Sequence, residues 1–457
     1  MGSFSRDGFT FDTGPSLLTL PAVYRDLFLK TGAPLEDAVE LRPVDPAFSY
    51  RFPDGTALDL PNASRAGIRR AFDDALGRGA GADWDRLMER AQAVWQLTRT
   101  PVLESPLGGA RDLPGLARRP ADVRTIAPWR SLRELGRTYL RDPRQRMLLD
   151  RYATYSGSDP RRAPAALCVV PYVEQTFGAW HVVGGVRRLA LAVADRAAER
   201  GAEVRTSADV REVAVGGGRV TGVRLSSGER LPADVVVANA DASHLYADLL
   251  PESVASRARR RLRAATPSFS GFALLLALRG RTAGLGHHTV LFPADYDAEF
   301  DALFGRDATP VDEPTVYVSA PDDPALRPGP DTEAWFVLVN APRHGTGPGA
   351  VDWTTPGRTD AYADHVLAVL ARRGLDVRSR LLWREVRSPA DLEAGTRSPG
   401  GAVYGTSSNG VRAAFLRPAN RSPVPGLFLV GGSAHPGGGL PLVGLSAAIV
   451  ADLVGPA

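Results

Sequence analysis

Near its C-terminus the chain reads Pro425-Gly426-Leu427-Phe428-Leu429-Val430-Gly431-Gly432-Ser433-Ala434-His435-Pro436-Gly437-Gly438-Gly439-Leu440-Pro441-Leu442-Val443-Gly444. Leu427 to Val430 is a short apolar run after a turn, as in a buried strand. The glycines that follow leave backbone free to approach a ligand with no side chain between them. From Leu440 the period changes, and Leu440, Val443, Ala447, Val450 and Leu453 share one helical face. Pro441 suits the first turn of that helix and Gly455 its end. The order is therefore strand, glycine loop, helix N-terminus. Such a terminus offers free N–H groups and a partial positive charge. It suits a phosphate or the electron-rich edge of a reduced ring. A tight structural turn satisfies the same pattern, because glycine loops are weak signals alone.

Other chemistries find little support. The chain lacks H-E-x-x-H, a paired Cys-x-x-Cys, a P-loop lysine and a G-x-S-x-G elbow. Cys168 is the only cysteine, so there is no intrachain disulfide and no cysteine-rich metal site. It reads as a buried apolar residue. His287 and His288 are adjacent, which does not point both rings at one metal. Lys30 is the only lysine among 55 basic residues. The net charge of +4 is thus carried by arginine, as a coding bias produces, and is weak evidence for nucleic acid. A basic surface also suits anionic lipid. No stretch reaches the roughly 18 apolar residues of a membrane span, and no signal peptide opens the chain. A cytoplasmic protein, touching a membrane surface at most, is expected. A cofactor enzyme is the best remaining class.

Along the chain, Phe9 and Phe11 alternate with polar residues as in a strand that ends at Gly14-Pro15. Residues 61–160 are mostly helical, with Ile68, Ala71 and Ala75; Trp84, Leu87, Ala91 and Trp95; and Leu132, Leu135 and Tyr139 at helix spacings. The segment 105–122 is a loop. Gly77 to Ala82 and Gly345 to Ala350 fit a relaxed G-x-G-x-x-A pattern, yet neither has the strand–turn–helix context, and both read as loops. A helix carries Val186, Leu189, Val193 and Ala197 on one face and stops at Gly201. Strands are expected at Val204–Thr206, Val210–Val215 and Arg219–Leu225, with a hairpin turn at Gly216–Gly218. Asp234 to Ala238 reads as a buried parallel strand, and Asn239-Ala240-Asp241 as the cap of a helix reaching about Leu250. Further strands (Phe269–Leu278, Thr315–Ala320, Ala334–Asn340, Leu381–Val386) alternate with helices (Thr359–Arg373, Pro389–Ala394).

The stretch Gly426 to Pro441 resembles the C-terminal flavin-contacting motif of the phytoene desaturase family, the bacterial carotenoid desaturases. Trp180-x-x-x-Gly184-Gly185, the strand with Val210, and Val235-Val236-Val237-Ala238-Asn239-Ala240-Asp241 are similar to the middle of that family. Gly8 to Ser16 resembles its segment after Gly-Gly-Arg. The resemblance spans nearly the whole chain. It implies an α/β (α+β) fold: a discontinuous, Rossmann-like FAD-binding domain of the amine oxidase/phytoene desaturase type over 1–21, 170–265 and 421–457. It also implies a mixed-sheet and helical substrate domain, associating with membrane, over 22–169 and 266–420. The family's N-terminal G-x-G-x-x-G unit is not in the sequence and is expected in frame upstream of residue 1.

The implied reaction is FAD-dependent desaturation of phytoene or a related carotenoid, with hydride passing from an allylic C–H to the flavin. Quinone or oxygen is the implied electron acceptor, and the membrane surface the implied source of polyene. The implied cofactor contacts are Val210, Asn239, Asp241, Gly431, Gly432, Ser433, Gly438, Gly439, Leu440, Pro441, Leu442 and Val443. Gly438 is expected to give the flavin close backbone approach. The acid/base candidates are His435, Asp12 and Glu174, with His181 in the same flavin-side set. Asp12 also suits a cap of the turn at Gly14, and His435 a backbone tie within its loop. Three alternatives stand beside this reading. The chain could be a ketolase or hydroxycarotenoid desaturase. It could be a flavin-free polyene-binding homologue. It could be an amine oxidase, if Trp180 and Tyr404 formed an aromatic cage.

Overall fold

A seven-stranded mixed sheet organises the larger part of the molecule. Its strands run in the order Leu381–Arg387, Ser270–Arg279, Thr332–Ala341, Val316–Ser319, His288–Leu291, Phe48–Arg51 and Ala57–Leu60. Only His288–Leu291 and Phe48–Arg51 pair in parallel. The computed structural model describes residues 1–107, 119–410, 413 and 417–456; the expected loop 105–122 lies partly outside them, and its end is not loop, because Pro120 opens the helix Pro120–Ile126. Ser270–Arg279 is buried on both faces, which explains its unbroken apolar run. Its alternate residues go to different cores. Phe272, Leu274, Leu276 and Leu278 join Val366, Leu367 and Leu370 of the helix Arg358–Arg372. Leu275 and Ala277 join Phe9 and Phe11 of the strand Phe9–Asp12.

The far end of the sheet meets a helical layer. Helices Arg65–Leu76, Ala80–Thr98, Leu132–Tyr139, Pro143–Arg151 and Val169–Phe177 bury Phe72, Trp84, Leu87, Leu135, Leu149 and Tyr152 against Phe48, Tyr50 and Phe292. Local signals explain their starts. Ser64 caps the first, Asp142 the fourth, and Ser131 with Glu134 forms a capping box on the third. The segment expected as a loop at Gly77 to Ala82 instead opens a helix at Ala80. Gly79 supplies the left-handed turn at φ 99°. At Gly81 a Cβ would lie 2.3 Å from the Arg69 carbonyl oxygen, so glycine lets two helices cross closely.

The glycine loop belongs to a smaller region. There Leu427–Leu429 pairs in parallel with Val236–Ala238; the first is buried as expected, but Val235 and Val237 are exposed, so the second is parallel without being the buried strand its apolar run suggested. The hairpin Val210–Gly216 and Arg219–Leu225, extended by Arg230–Pro232, forms a separate three-stranded sheet. Val204–Thr206 is not a strand: Glu203 and Arg205 flank an exposed Val204, and Arg205 pairs with Glu229. The helix after Asp241 is short, Ala242–His244, and continues as a wider turn over Leu245–Leu249. The C-terminal helix is Leu440–Val454, with proline in its first turn and Gly455 at its end. Cys168 is fully buried, which pushes its thiol up to about 12. Among the described residues no helix is long and apolar enough to cross a membrane.

Candidate functional site

The loop between Leu429 and Leu440 is held by backbone-directed hydrogen bonds. Asn420 Nδ2 donates to the carbonyls of Leu429 and His435 at 3.1 and 2.8 Å. Ser446 Oγ, nearly two turns into the C-terminal helix, donates to the same His435 carbonyl at 2.8 Å. The buried Arg417 guanidinium donates to the carbonyls of Tyr404, Gly432 and Thr406. Burial, only partly offset by Asp241, lowers its pKa to about 10. Strand, loop and helix are thereby one unit. Tyr24 fixes the helix start from outside, donating to the Leu440 carbonyl at 2.9 Å.

The turn at Asn239–Asp241 meets this loop. Ala242 N–H donates to Ser433 Oγ at 2.9 Å. Asp241 accepts from Ser243 N–H at 2.8 Å. At Gly431, with φ 94°, a Cβ would lie 2.1 Å from Asn239 Oδ1. Gly439 has φ 106°, and a Cβ there would meet nothing within 4 Å. Open space thus adjoins the helix N-terminus, whose first amides lack helical partners. A planar, electron-rich group fits that cradle. At Gly438 a Cβ would lie 2.5 Å from Tyr404 Cδ1, so the glycine accommodates this aromatic ring.

The three acid/base candidates occupy three surroundings, and no hydrogen bond joins them. Asp12 does not cap the turn at Gly14; it accepts from the amides of Val186 and Arg187 at 2.6 and 3.0 Å, capping the helix Arg187–Glu199. Burial raises its pKa against those amides. His435 is buried, and its Nε2 reaches the Ser105 carbonyl at 3.1 Å. Burial lowers its pKa, so the ring is a neutral tie between two loops. Glu174 accepts from Tyr152 at 2.6 Å and Tyr155 at 3.3 Å, and Arg151 donates to Tyr155 at 2.8 Å. Burial raises the Glu174 pKa against the Tyr152 hydrogen bond and the Arg151 charge.

This buried cluster adjoins the glycine loop through one ring. At Gly157, two residues after Tyr155, a Cβ would lie 3.0 Å from Tyr404 Cδ2, and the other edge of Tyr404 faces Gly438. Arg151, Tyr152, Tyr155, Arg417 and Asn420 carried no motif in the sequence. Trp180 lies instead in a short strand beside Leu41–Pro43, under the Arg25 guanidinium, so its contacts do not include Tyr404. Val210 begins the separate hairpin sheet. A groove of about 610 Å³ beside Pro356 and His365 shares no residue with the site. Among the described residues no cluster suits a metal ion.

The sequence model of the flavin containing amine oxidoreductases matches residues 1–310. The chain is 33% identical over 454 residues to 4,4'-diapolycopene oxygenase of a Methylomonas species, covering 98% of this chain and 89% of that one. It is 33% identical over 468 residues to hydroxyneurosporene desaturase of Rubrivivax gelatinosus, covering 98% and 84%. Among solved structures, a cofactor-site redesign of putrescine oxidase aligns with TM-score 0.62 at 13% identity, over 99% of this chain and 90% of that one. That likeness concerns the fold, which is the flavoprotein fold the resemblance implied. FAD is the cofactor. A match running across two thirds of the length, backed by relatives of one-third identity end to end, places the chain in the flavin-containing amine oxidoreductase family.

Proposed function

We propose that the protein is an FAD-dependent carotenoid desaturase acting on phytoene or a related polyene. The observation that carries this is end-to-end similarity to carotenoid-modifying relatives. Besides the two above, a phytoene desaturase of Pseudescherichia vulneris is 28% identical over 452 residues, 98% of this chain. Bound flavin supplies the hydride acceptor. The protein's own share is to hold and orient. In this reading Gly431, Gly432, Ser433, Gly439 and the first turn Leu440–Val443 cradle the ring. The partial charge of the helix start then favours the reduced form. Asn239 and Asp241 close the cradle from the neighbouring strand, and Val210 borders the nucleotide. The nucleotide-side segments are 1–21, 170–265 and 421–457, with the polyene side over 22–169 and 266–420.

Asp12 has both carboxylate oxygens on backbone amides, and His435 has its Nε2 on the Ser105 carbonyl, which supports positioning roles. Glu174 fixes Tyr152 and Tyr155, and through them Arg151, beside Tyr404. Exposed Trp129 and Phe177 support lipid contact by the helical layer, where a polyene would enter. Quinone or oxygen would take the electrons. Expression in a host that accumulates phytoene tests the reading. The expected product is a polyene of longer absorption wavelength, lighter by two hydrogens per new double bond. Unchanged phytoene beside a flavin-loaded protein would reject it.

A further inference from the structure

Each double bond formed removes a hydride, which the flavin takes, and a proton from the neighbouring carbon. A polyene carbon carries no water to take that proton, so the protein must supply its first acceptor. The sheet end that faces the helical layer holds a ladder of near-parallel rings: Tyr50 on Phe48, Phe48 on His288 and His288 on Tyr317, with centroids 5.9, 5.1 and 5.8 Å apart. His288 is fully buried, and its Nε2 has no hydrogen-bond partner among the described residues. Its other nitrogen, Nδ1, lies 2.7 Å from Tyr317 Oη, which in turn lies 2.7 Å from Ser16 Oγ. Ser16 lines a cavity of about 30 Å³ together with the polar Asp12, His181, His287 and Ser319 and the apolar Phe11, Leu326 and Phe336. That is room for about two waters. His287 Nε2 is buried there without a partner. Its ring lies 5.0 Å from that of His181, whose Nε2 is 2.8 Å from Asp323 Oδ2.

We propose that His288, Tyr317, Ser16, His287 and the His181–Asp323 pair form the exit route for the proton released by desaturation; this rests on the desaturation reading above. The proton bonds to His288 Nε2. The Nδ1 proton moves to the Tyr317 oxygen, and the Tyr317 proton to Ser16 Oγ. From Ser16 it crosses water in the cavity to His287 and then to His181, and it leaves to solvent from the His181 side chain, 11% exposed beside Asp323. A weak base suffices at the start, because a carbon next to one that has lost hydride is strongly acidic. Electrostatics give the direction. The Arg151 guanidinium sits 5.3 Å from the Phe48 ring and 5.8 Å from that of Tyr317, so it disfavours a resting charge on His288. Burial, with His287, His181 and Arg151 nearby, keeps the His288 pKa well below normal. Burial also lowers His287, to about 3. Asp323 is held below the usual carboxylate range despite burial, chiefly by the Gly184 amide and His181.

Two measurements test the route. Nitrogen-15 spectra of histidine-labelled resting protein report the His288 tautomer without any turnover. The route requires the proton on Nδ1 and a bare Nε2; a proton on Nε2 overturns it. Turnover of carotenoid in vesicles is then compared for wild type, Tyr317→Phe, Ser16→Ala and Tyr50→Phe. Tyr50 stacks in the same ladder but has an unpartnered hydroxyl. Tyr317→Phe and Ser16→Ala should each lower kcat about tenfold, with KM and flavin content unchanged and a larger solvent deuterium effect. Tyr50→Phe should match wild type. Equal kcat in Tyr317→Phe and Tyr50→Phe overturns the route. A wild type without turnover strikes the desaturation reading itself, whereas the tautomer strikes the route alone.

Discussion

The glycine loop and the Glu174 cluster lie on opposite sides of the Tyr404 ring and are built in opposite ways. The loop is backbone held by side-chain donors: Asn420, Ser446 and the Arg417 guanidinium all bind carbonyl oxygens. The cluster is side chain against side chain, with a buried carboxyl, a buried guanidinium and two tyrosines. A backbone-built site fails when a side chain intrudes. A site of buried polar side chains fails when one partner is removed and the others are left unsatisfied. That difference sets the order of the expected effects.

Glu174→Leu should be the most damaging change. It strips the acceptor from Tyr152 and Tyr155, at about 1–3 kcal/mol for each orphaned donor. Urea unfolding should show it, and near-neutral stability would mean that the cluster is not held by its carboxylate. Glu174→Gln sharpens the point through pH. The Glu174 pKa is raised above its unfolded value of 4.5. Its contribution to stability is therefore fully present below 4.5 and is lost as pH rises through the folded value. Wild type should lose stability relative to Glu174→Gln over that window; a parallel pH dependence would contradict the buried, raised carboxyl.

On the loop side, Gly438→Val drives a branched side chain into the Tyr404 ring, at about 1–3 kcal/mol of overpacking. Flavin content should fall with it, and Tyr404→Ala in the same chain should restore part of the loss. No restoration would break the link between the two sides. Gly431→Ala meets Asn239 and a positive φ, for about 1–2 kcal/mol. His435→Ala should be mildest, about 1 kcal/mol for the bond to Ser105, with flavin retained. Flavin loss greater than in Gly438→Val would make His435 a direct contact.

The same difference explains what the sequence revealed. The loop was legible because strand, glycines and helix are consecutive, and each leaves a local mark: an apolar run, residues without Cβ, a change of period. The parallel strand Val236–Ala238 was legible for the same reason, although its exposure was not. Val204–Thr206 was not, because three alternating residues fit a strand and a charged coil equally. Gly79–Gly81 was misread as loop since a close helix crossing leaves no mark along the chain. Arg151, Glu174, Tyr317 and His288 come from four separated segments, brought together only by strand order and helix packing. Asp12 illustrates the gap within one residue: its carboxylate looked like a local cap, yet its partners are 174 and 175 positions away.

The central claim, that a flavin held in the Gly431–Val443 cradle oxidises a carotenoid, is tested most directly by one anaerobic turnover. Purified protein with bound flavin is mixed with vesicles carrying phytoene in the absence of any acceptor. The account predicts bleaching of the oxidised flavin, with one new double bond formed for each flavin reduced. Flavin that stays oxidised while phytoene is present and accessible would contradict it.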